Sequence, residues 1–178
     1  MSYFDLFGIP SQFKVEPNLL KKRFYELSRE YHPDFYTQAD ADAQAAALEK
    51  SSTLNKAFKA FQTEDGTIQY LLTEKGLLEA EEKYALDPLF LGEVMDINEA
   101  LMDLEMDPDA AGLAKVENDT QTLLQSIRHD VENILDGYQE GITTEEELLQ
   151  VKEYYYRKKY LDRILDKIDS LRNIAARQ

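Results

Sequence analysis

Two groups of residues in this 178-residue chain have the types and spacing to do chemistry. The first is His32-Pro33-Asp34, an imidazole and a carboxylate two residues apart around a proline. Enclosed in a pocket, such a pair can act as general acid and base. On an open turn it is either a helix stop with a solvated aspartate or a recognition device. The carboxylate can pair with an arginine of a partner, a ring nitrogen can donate to the partner or to the chain's own backbone, and the proline stiffens the turn. The second group is Leu91, Met95 and Met102, an apolar stripe at helical spacing bordered by Asp96, Glu99 and Asp103. Beside a core stripe on the same helix it reads either as part of a wide buried face or as a separate binding face, and methionine suits adaptable binding surfaces.

Other candidates fail on spacing. Asp103, Glu105, Asp107 and Asp109 alternate like the start of a calcium loop, but Pro108 stands where such a loop needs glycine and Ala114 where it needs glutamate. His129 lies off the Ile127/Val131 stripe and reads as a solvated helix residue. Tyr154 to Lys159 mixes aromatic and basic residues, but on a helix these point in different directions. Internal ion pairing is the reading there, rather than base stacking. There is no nucleophile–base pair, phosphate loop or metal-ligand spacing, so neither a cofactor nor a metal is predicted, and catalysis by the chain is not expected.

The elements that position these groups are helices. Glycine (7) and proline (5) are scarce, and apolar residues recur at helical rather than alternating spacing. Leu20, Phe24, Leu27 and Tyr31 form one face of a helix that Pro17 opens and Pro33 closes, so His32 sits where the chain leaves it. Ala47, Ser51, Leu54, Phe58 and Phe61 mark a second helix, antiparallel to the first, with a loop from Asp34 to about Ala39 between them. Short apolar segments flank this hairpin: Tyr3, Phe4, Leu6 and Phe7 before it, and Ile68, Tyr70, Leu71 and Leu72 after it.

Three longer helices follow. The first carries Phe90, Val94, Ile97, Leu101 and Leu104. Asp107-Pro108 reads as the start of the second, with Val116, Thr120, Leu123, Ile127, Val131 and Ile134 as its stripe. After a turn from Gly137 to Gly141, Thr143 and Glu146 read as the capping box of the third, which carries Val151, Tyr154, Leu161, Leu165, Ile168 and Leu171. Short loops predict an antiparallel three-helix bundle. The expectation is an all-α chain with residues 1–76 as one domain, 77–86 as a linker and 87–178 as the bundle.

Charge narrows the function. The chain carries 20 Lys+Arg against 35 Asp+Glu, net −15. Such a surface repels phosphate backbones and anionic lipid, so neither nucleic acid nor membrane is expected as a partner. Residues 1–76 hold 9 basic and 11 acidic side chains, and the remainder 11 and 24, so nearly all the excess lies in the second half. The helix before His32 is locally basic through Lys21, Lys22, Arg23 and Arg29. Cysteine is absent, no apolar run reaches the ~20 residues of a membrane span, and Met-Ser-Tyr-Phe-Asp shows no secretory signal. A cytoplasmic location is the expectation.

A basic helix, His-Pro-Asp, then Leu54-Asn55-Lys56-Ala57-Phe58 resembles the J-domain of DnaJ-type co-chaperones. Tyr3-Phe4-x-Leu6-Phe7-Gly8, Tyr70-Leu71-Leu72 ahead of Gly76, and the acidic helical second half extend the resemblance over nearly the whole chain to the HscB family of iron–sulfur co-chaperones. That resemblance implies a chain that stimulates ATP hydrolysis by a DnaK-class chaperone, HscA, and delivers to it the iron–sulfur scaffold protein IscU. It implies chaperone contacts at His32, Pro33, Asp34, Lys22, Arg23 and Arg29. It implies scaffold contacts at Leu91, Met95, Asp96, Glu99, Asp103 and Tyr160. Gly92 departs from the pattern, at a position where the family can carry a bulky apolar residue. Two other readings stand beside it: a J-protein serving a different client, and an enzyme using His32 and Asp34 as acid and base.

Overall fold

Seven α-helices and one 3₁₀ turn, with no strand, account for the regular structure of residues 1–177, which the computed structural model describes. They are α1 (Tyr3–Phe7), α2 (Pro17–Glu30), α3 (Ala41–Phe61), α4 (Glu64–Glu74), α5 (Pro88–Met106), α6 (Ala110–Gly137) and α7 (Glu145–Ala176). The chain divides into two compact units. One comprises residues 1–78 together with 135–144, and the other residues 79–134 with 145–177.

In the first unit α2 and α3 form the hairpin. Pro17 occupies the first turn of α2, and the Glu16 carboxylate accepts from the Asn18 and Leu19 N–H groups at 2.9 and 2.6 Å, satisfying donors that the helix cannot. Leu20 is buried, and Phe24 stacks on Phe58 of α3 with ring centroids 4.1 Å apart. Phe4 and Phe7 of α1 are fully buried, with Phe4 stacked on Phe61. Gly8 ends α1 at φ +65°. A β-carbon there would meet both left-handed strain and the Arg23 guanidinium at 2.5 Å.

The stretch from Asp34 to Ala39 is not an irregular loop. Pro33–Tyr36 winds into a 3₁₀ turn. Proline's fixed φ suits its first position, and the Tyr36 hydroxyl donates to the Glu30 carbonyl at 3.1 Å, tying the turn back to α2.

Residues 135–144, the connection from α6 to α7, belong to the first unit. Phe13 meets Tyr138 edge to face at 5.2 Å, and Lys14 pairs with Asp136. Burial raises the Tyr138 hydroxyl well above its ordinary range. Lys75 donates to Glu140, which also accepts from Tyr138 at 2.7 Å. Lys75 first, then Tyr138, holds the Glu140 carboxyl below the ordinary 4.5.

A carboxyl lowered by folding contributes stability that is fully present above its unfolded value and is lost as pH falls through the lowered one. Glu140 is half exposed, so this amounts to about 0.2–1 kcal/mol. Acid titration of the thermal midpoint should therefore fall more steeply below pH 4.5 in the wild type than in Glu140→Gln. Equal slopes would show that the pair adds nothing.

The second unit is the three-helix bundle. Asp87 caps α5 ahead of Pro88, accepting from the Leu89 N–H at 2.9 Å. Phe90, Val94, Ile97, Leu101 and Leu104 are all buried, each contributing about 1.5–3 kcal/mol relative to exposure. Arg157 of α7 lies over the Phe90 ring at 5.1 Å, and Lys167 of α7 pairs with Glu105. Arg172 of α7 pairs with Glu117 of α6. The stretch 79–86 has no helix but is held to α7: Glu82 pairs with Lys152 at 2.8 Å, and Tyr84 stacks on Tyr156 at 4.4 Å.

Four local expectations are corrected. Asp107-Pro108 does not begin α6. Asp107 ends α5, and Asp109 is the residue whose carboxylate accepts from the Gly112 N–H at 2.9 Å. Thr143 does not form a capping box with Glu146, because its hydroxyl accepts from the Gln139 N–H at 2.9 Å and closes the turn instead. Leu135 rather than Ile134 is buried, since residue 135 packs within the first unit. On α7, Ile164 is buried and Leu165 only half so. Thr120 is buried on the α6 stripe as read, its hydroxyl donating to the Val116 carbonyl at 2.7 Å.

Candidate functional site

His32 caps the 3₁₀ turn. Its Nδ1 accepts from the Asp34 N–H at 3.2 Å, which ties the ring to the turn. The ring therefore accepts from its own backbone, where donation was among the expectations. The Asp34 side chain is 85% exposed and its carboxylate lies 3.5 Å from His32 Nδ1. Both groups open to water, with no enclosure that would strengthen acid–base work. A carboxylate so presented is suited to meeting a cation on another molecule.

The basic residues of α2 separate. Lys22 and Arg29, seven residues apart, share one face and are exposed. Arg23 is turned toward α1: its Nε donates to the Phe7 carbonyl at 3.0 Å, and Nη1 pairs with Glu26 at 3.2 Å. It helps hold α1 on α2, a role no helical period can show. Two aromatics also escaped the sequence reading. Tyr25 and Phe35 are 56% and 72% exposed and line a shallow cleft with Ser28, Arg29, His32 and Asp34. The available signal was an aromatic placed immediately after the tripeptide, outside any buried stripe.

The separation of Lys22 from Arg23 defines a test. Lys22→Glu with Arg29→Glu should slow association with an acidic partner and leave the melting temperature near the wild type, whereas Arg23→Glu should also destabilise the first unit. Wild-type association should slow with added salt as the Debye length falls from ~10 Å at 0.1 M to ~3 Å at 1 M. Stopped-flow rates that ignore salt would exclude steering by α2.

On α5 the two stripes part. The core stripe is buried, while Leu91, Met95 and Met102 are 41%, 57% and 65% exposed. Leu89 and Met106, not singled out from sequence, are exposed near the same stripe. Met106 follows Met102 by the four-residue step that would have revealed it. Asp96, Glu99 and Asp103 run beside the stripe and are exposed. Tyr160 of α7 is half buried, edge-on to Phe90 at 6.1 Å, and its hydroxyl accepts from Asn98 at 2.8 Å, which fixes the ring beside α5. Gly92 is exposed, with open space where a β-carbon would stand. Gly92→Ala should therefore stabilise the bundle by up to about 1 kcal/mol, read by chemical denaturation. A loss of stability would reveal a hidden contact there.

His129 is exposed, with Glu132 at 3.8 Å. Tyr154 and Tyr155 are buried, while Arg157 pairs with Glu153 and Asp87, and Lys158 with Asp162. Among the described residues no group of three His, Asp or Glu side chains could hold a metal ion, and no helix is long and apolar enough to cross a membrane.

A helical hairpin whose turn displays His-Pro-Asp, followed by a three-helix bundle, defines a J-domain co-chaperone. Residues 86–169 match the family model described as the HSCB C-terminal oligomerisation domain. A co-chaperone protein HscB homolog of Vibrio parahaemolyticus is 33% identical over 114 residues, 62% of this chain and 67% of that one. The homolog of Vibrio atlanticus is 32% identical over 139 residues, 75% and 81% of the two chains. The crystal structure of human co-chaperone protein HscB superposes with a TM-score of 0.74 at 25% identity, covering 95% of this chain and 81% of that one. Chaperone HscB from Vibrio cholerae shares the fold, with a TM-score of 0.73 at 22% identity over 98% and 99% of the chains. The chain belongs to the HscB family of co-chaperones.

Proposed function

We propose that this chain stimulates ATP hydrolysis by a DnaK-class chaperone of the HscA type and delivers to it the iron–sulfur scaffold protein, IscU, in the cytoplasm. The observation that carries the reading is the open His32-Pro33-Asp34 turn at the end of a basic helix, joined to a bundle that exposes an acid-bordered apolar stripe. The chain itself performs no catalysis. Lys22 and Arg29 draw in an acidic surface of the chaperone, and Asp34 pairs there with a cation. The pinned 3₁₀ turn loses little entropy on docking. Because the turn binds one conformation of the chaperone better than another, it shifts the population toward the state that hydrolyses ATP.

Leu91, Met95 and Met102 would hold the scaffold through apolar contact. Asp96, Glu99 and Asp103 set its orientation, and Tyr160 supplies an aromatic edge. Single-turnover ATP hydrolysis by the chaperone, with and without scaffold, tests the whole reading. The chain should accelerate hydrolysis alone and do so further with scaffold present. Acceleration that scaffold never increases would point to a different client, and no acceleration at all would refute the reading.

A further inference from the structure

Phe35 is an apolar ring displayed on the functional turn with no core to serve. Among the described residues only the His32 ring approaches it as an aromatic neighbour, edge-on at 6.2 Å. Its place is nonetheless well determined. Its N–H donates to the His32 carbonyl at 3.0 Å, and the next residue, Tyr36, is tied to the Glu30 carbonyl. Across the cleft stands Tyr25, also exposed, one turn of α2 before Arg29. Two aromatics and an arginine around a concave surface are the residue types that dominate binding energy at interfaces. Rings held by the backbone lose little entropy when they are covered.

We propose that Tyr25 and Phe35 form an aromatic notch that takes an aliphatic side chain of the ATPase chaperone, whose carboxylates meet Arg29 and Lys22. This rests on the co-chaperone reading above and adds to it a division of labour. The notch supplies affinity, while Asp34 supplies the stimulus. Charge complementarity argues for that occupant, because Arg29 lines the cleft and Lys21 and Lys22 are further exposed cations on the same helix. A second copy of this chain, net −15, is the competing occupant.

The experiment titrates the full-length chain against the chaperone's ATPase and reads half-saturation separately from maximal stimulation. Tyr25→Ala and Phe35→Ala should each raise the half-saturating concentration about tenfold or more while keeping the maximum, as loss of an interface anchor does. Phe35→Leu should stay close to the wild type. Asp34→Asn should lose the maximum. Among the described ring contacts His32 meets Phe35 and not Tyr25, so Tyr25→Ala separates loss of the notch from disturbance of the imidazole. Unchanged half-saturation in both alanine variants, with Asp34→Asn inactive, would overturn the notch and leave the co-chaperone reading standing. Full stimulation by Asp34→Asn would overturn both. Concentration-dependent self-association of the wild type that Phe35→Ala abolishes would assign the notch to a second copy and overturn the proposal.

Discussion

Asp34→Asn and His32→Gln should each abolish stimulation of the chaperone's ATP hydrolysis while leaving the melting temperature of the chain where it is. The Asp34 carboxylate is almost wholly in water and accepts nothing the fold depends on, so its neutral isostere should shift stability by no more than about 0.5 kcal/mol. What it loses is the charge that a cation on the chaperone needs in the conformation that hydrolyses ATP, so the population shift behind the stimulus goes with it. His32→Gln replaces a ring that accepts the Asp34 N–H with a flexible amide, so the turn keeps its course but loses the fixed ring. Single-turnover hydrolysis at saturating scaffold reads the stimulus, and circular dichroism reads the fold. A folded variant that stimulates like the wild type would remove the His-Pro-Asp turn from the mechanism.

On the bundle, one helix supplies both experiment and control. Leu91→Ala and Met95→Ala should each weaken scaffold binding by about 1–2 kcal/mol, five- to thirtyfold in Kd. Their effect on stability should be small, since both side chains are already largely in water in the free protein. Leu101→Ala, one stripe away, removes a buried side chain and should cost the bundle about 2–5 kcal/mol of stability. Asp96→Asn, Glu99→Gln and Asp103→Asn should act mainly on association rate and its salt dependence, because rim charges stay solvated. Calorimetric titration against the scaffold protein, paired with denaturant melts, separates the two stripes. Normal affinity in Leu91→Ala and Met95→Ala would send the search for the client surface to another face.

Much of this was legible from residue order. Helical periodicity is a local property, so the core stripe of α5 and the hairpin around His32 could be read without any tertiary contact. The exposure of the tripeptide followed from Pro33, which forces the chain out of α2. The second stripe of α5 was legible as a stripe, but whether it faced core or water was not. Only the packing of α7 against the Phe90–Leu104 face decides that.

The sequence by itself determined that the chain is helical, where its principal turn lies, and which apolar residues share a face. Those depend on backbone geometry within a few residues. Which polar groups remain free to meet a partner depends on contacts between distant parts of the chain. Arg23 looks like its basic neighbours until the Phe7 carbonyl, sixteen residues back, arrives beside it. Thr143 looks like a cap until Gln139 takes its hydroxyl, and Leu135 looks like the flank of a bundle stripe until it is buried in the first unit. Phe35 belongs to no helical stripe, and only the fold shows that its ring stays in water. A buried hydrogen-bonding group takes whatever partner the fold brings near, and that partner can come from anywhere in the chain.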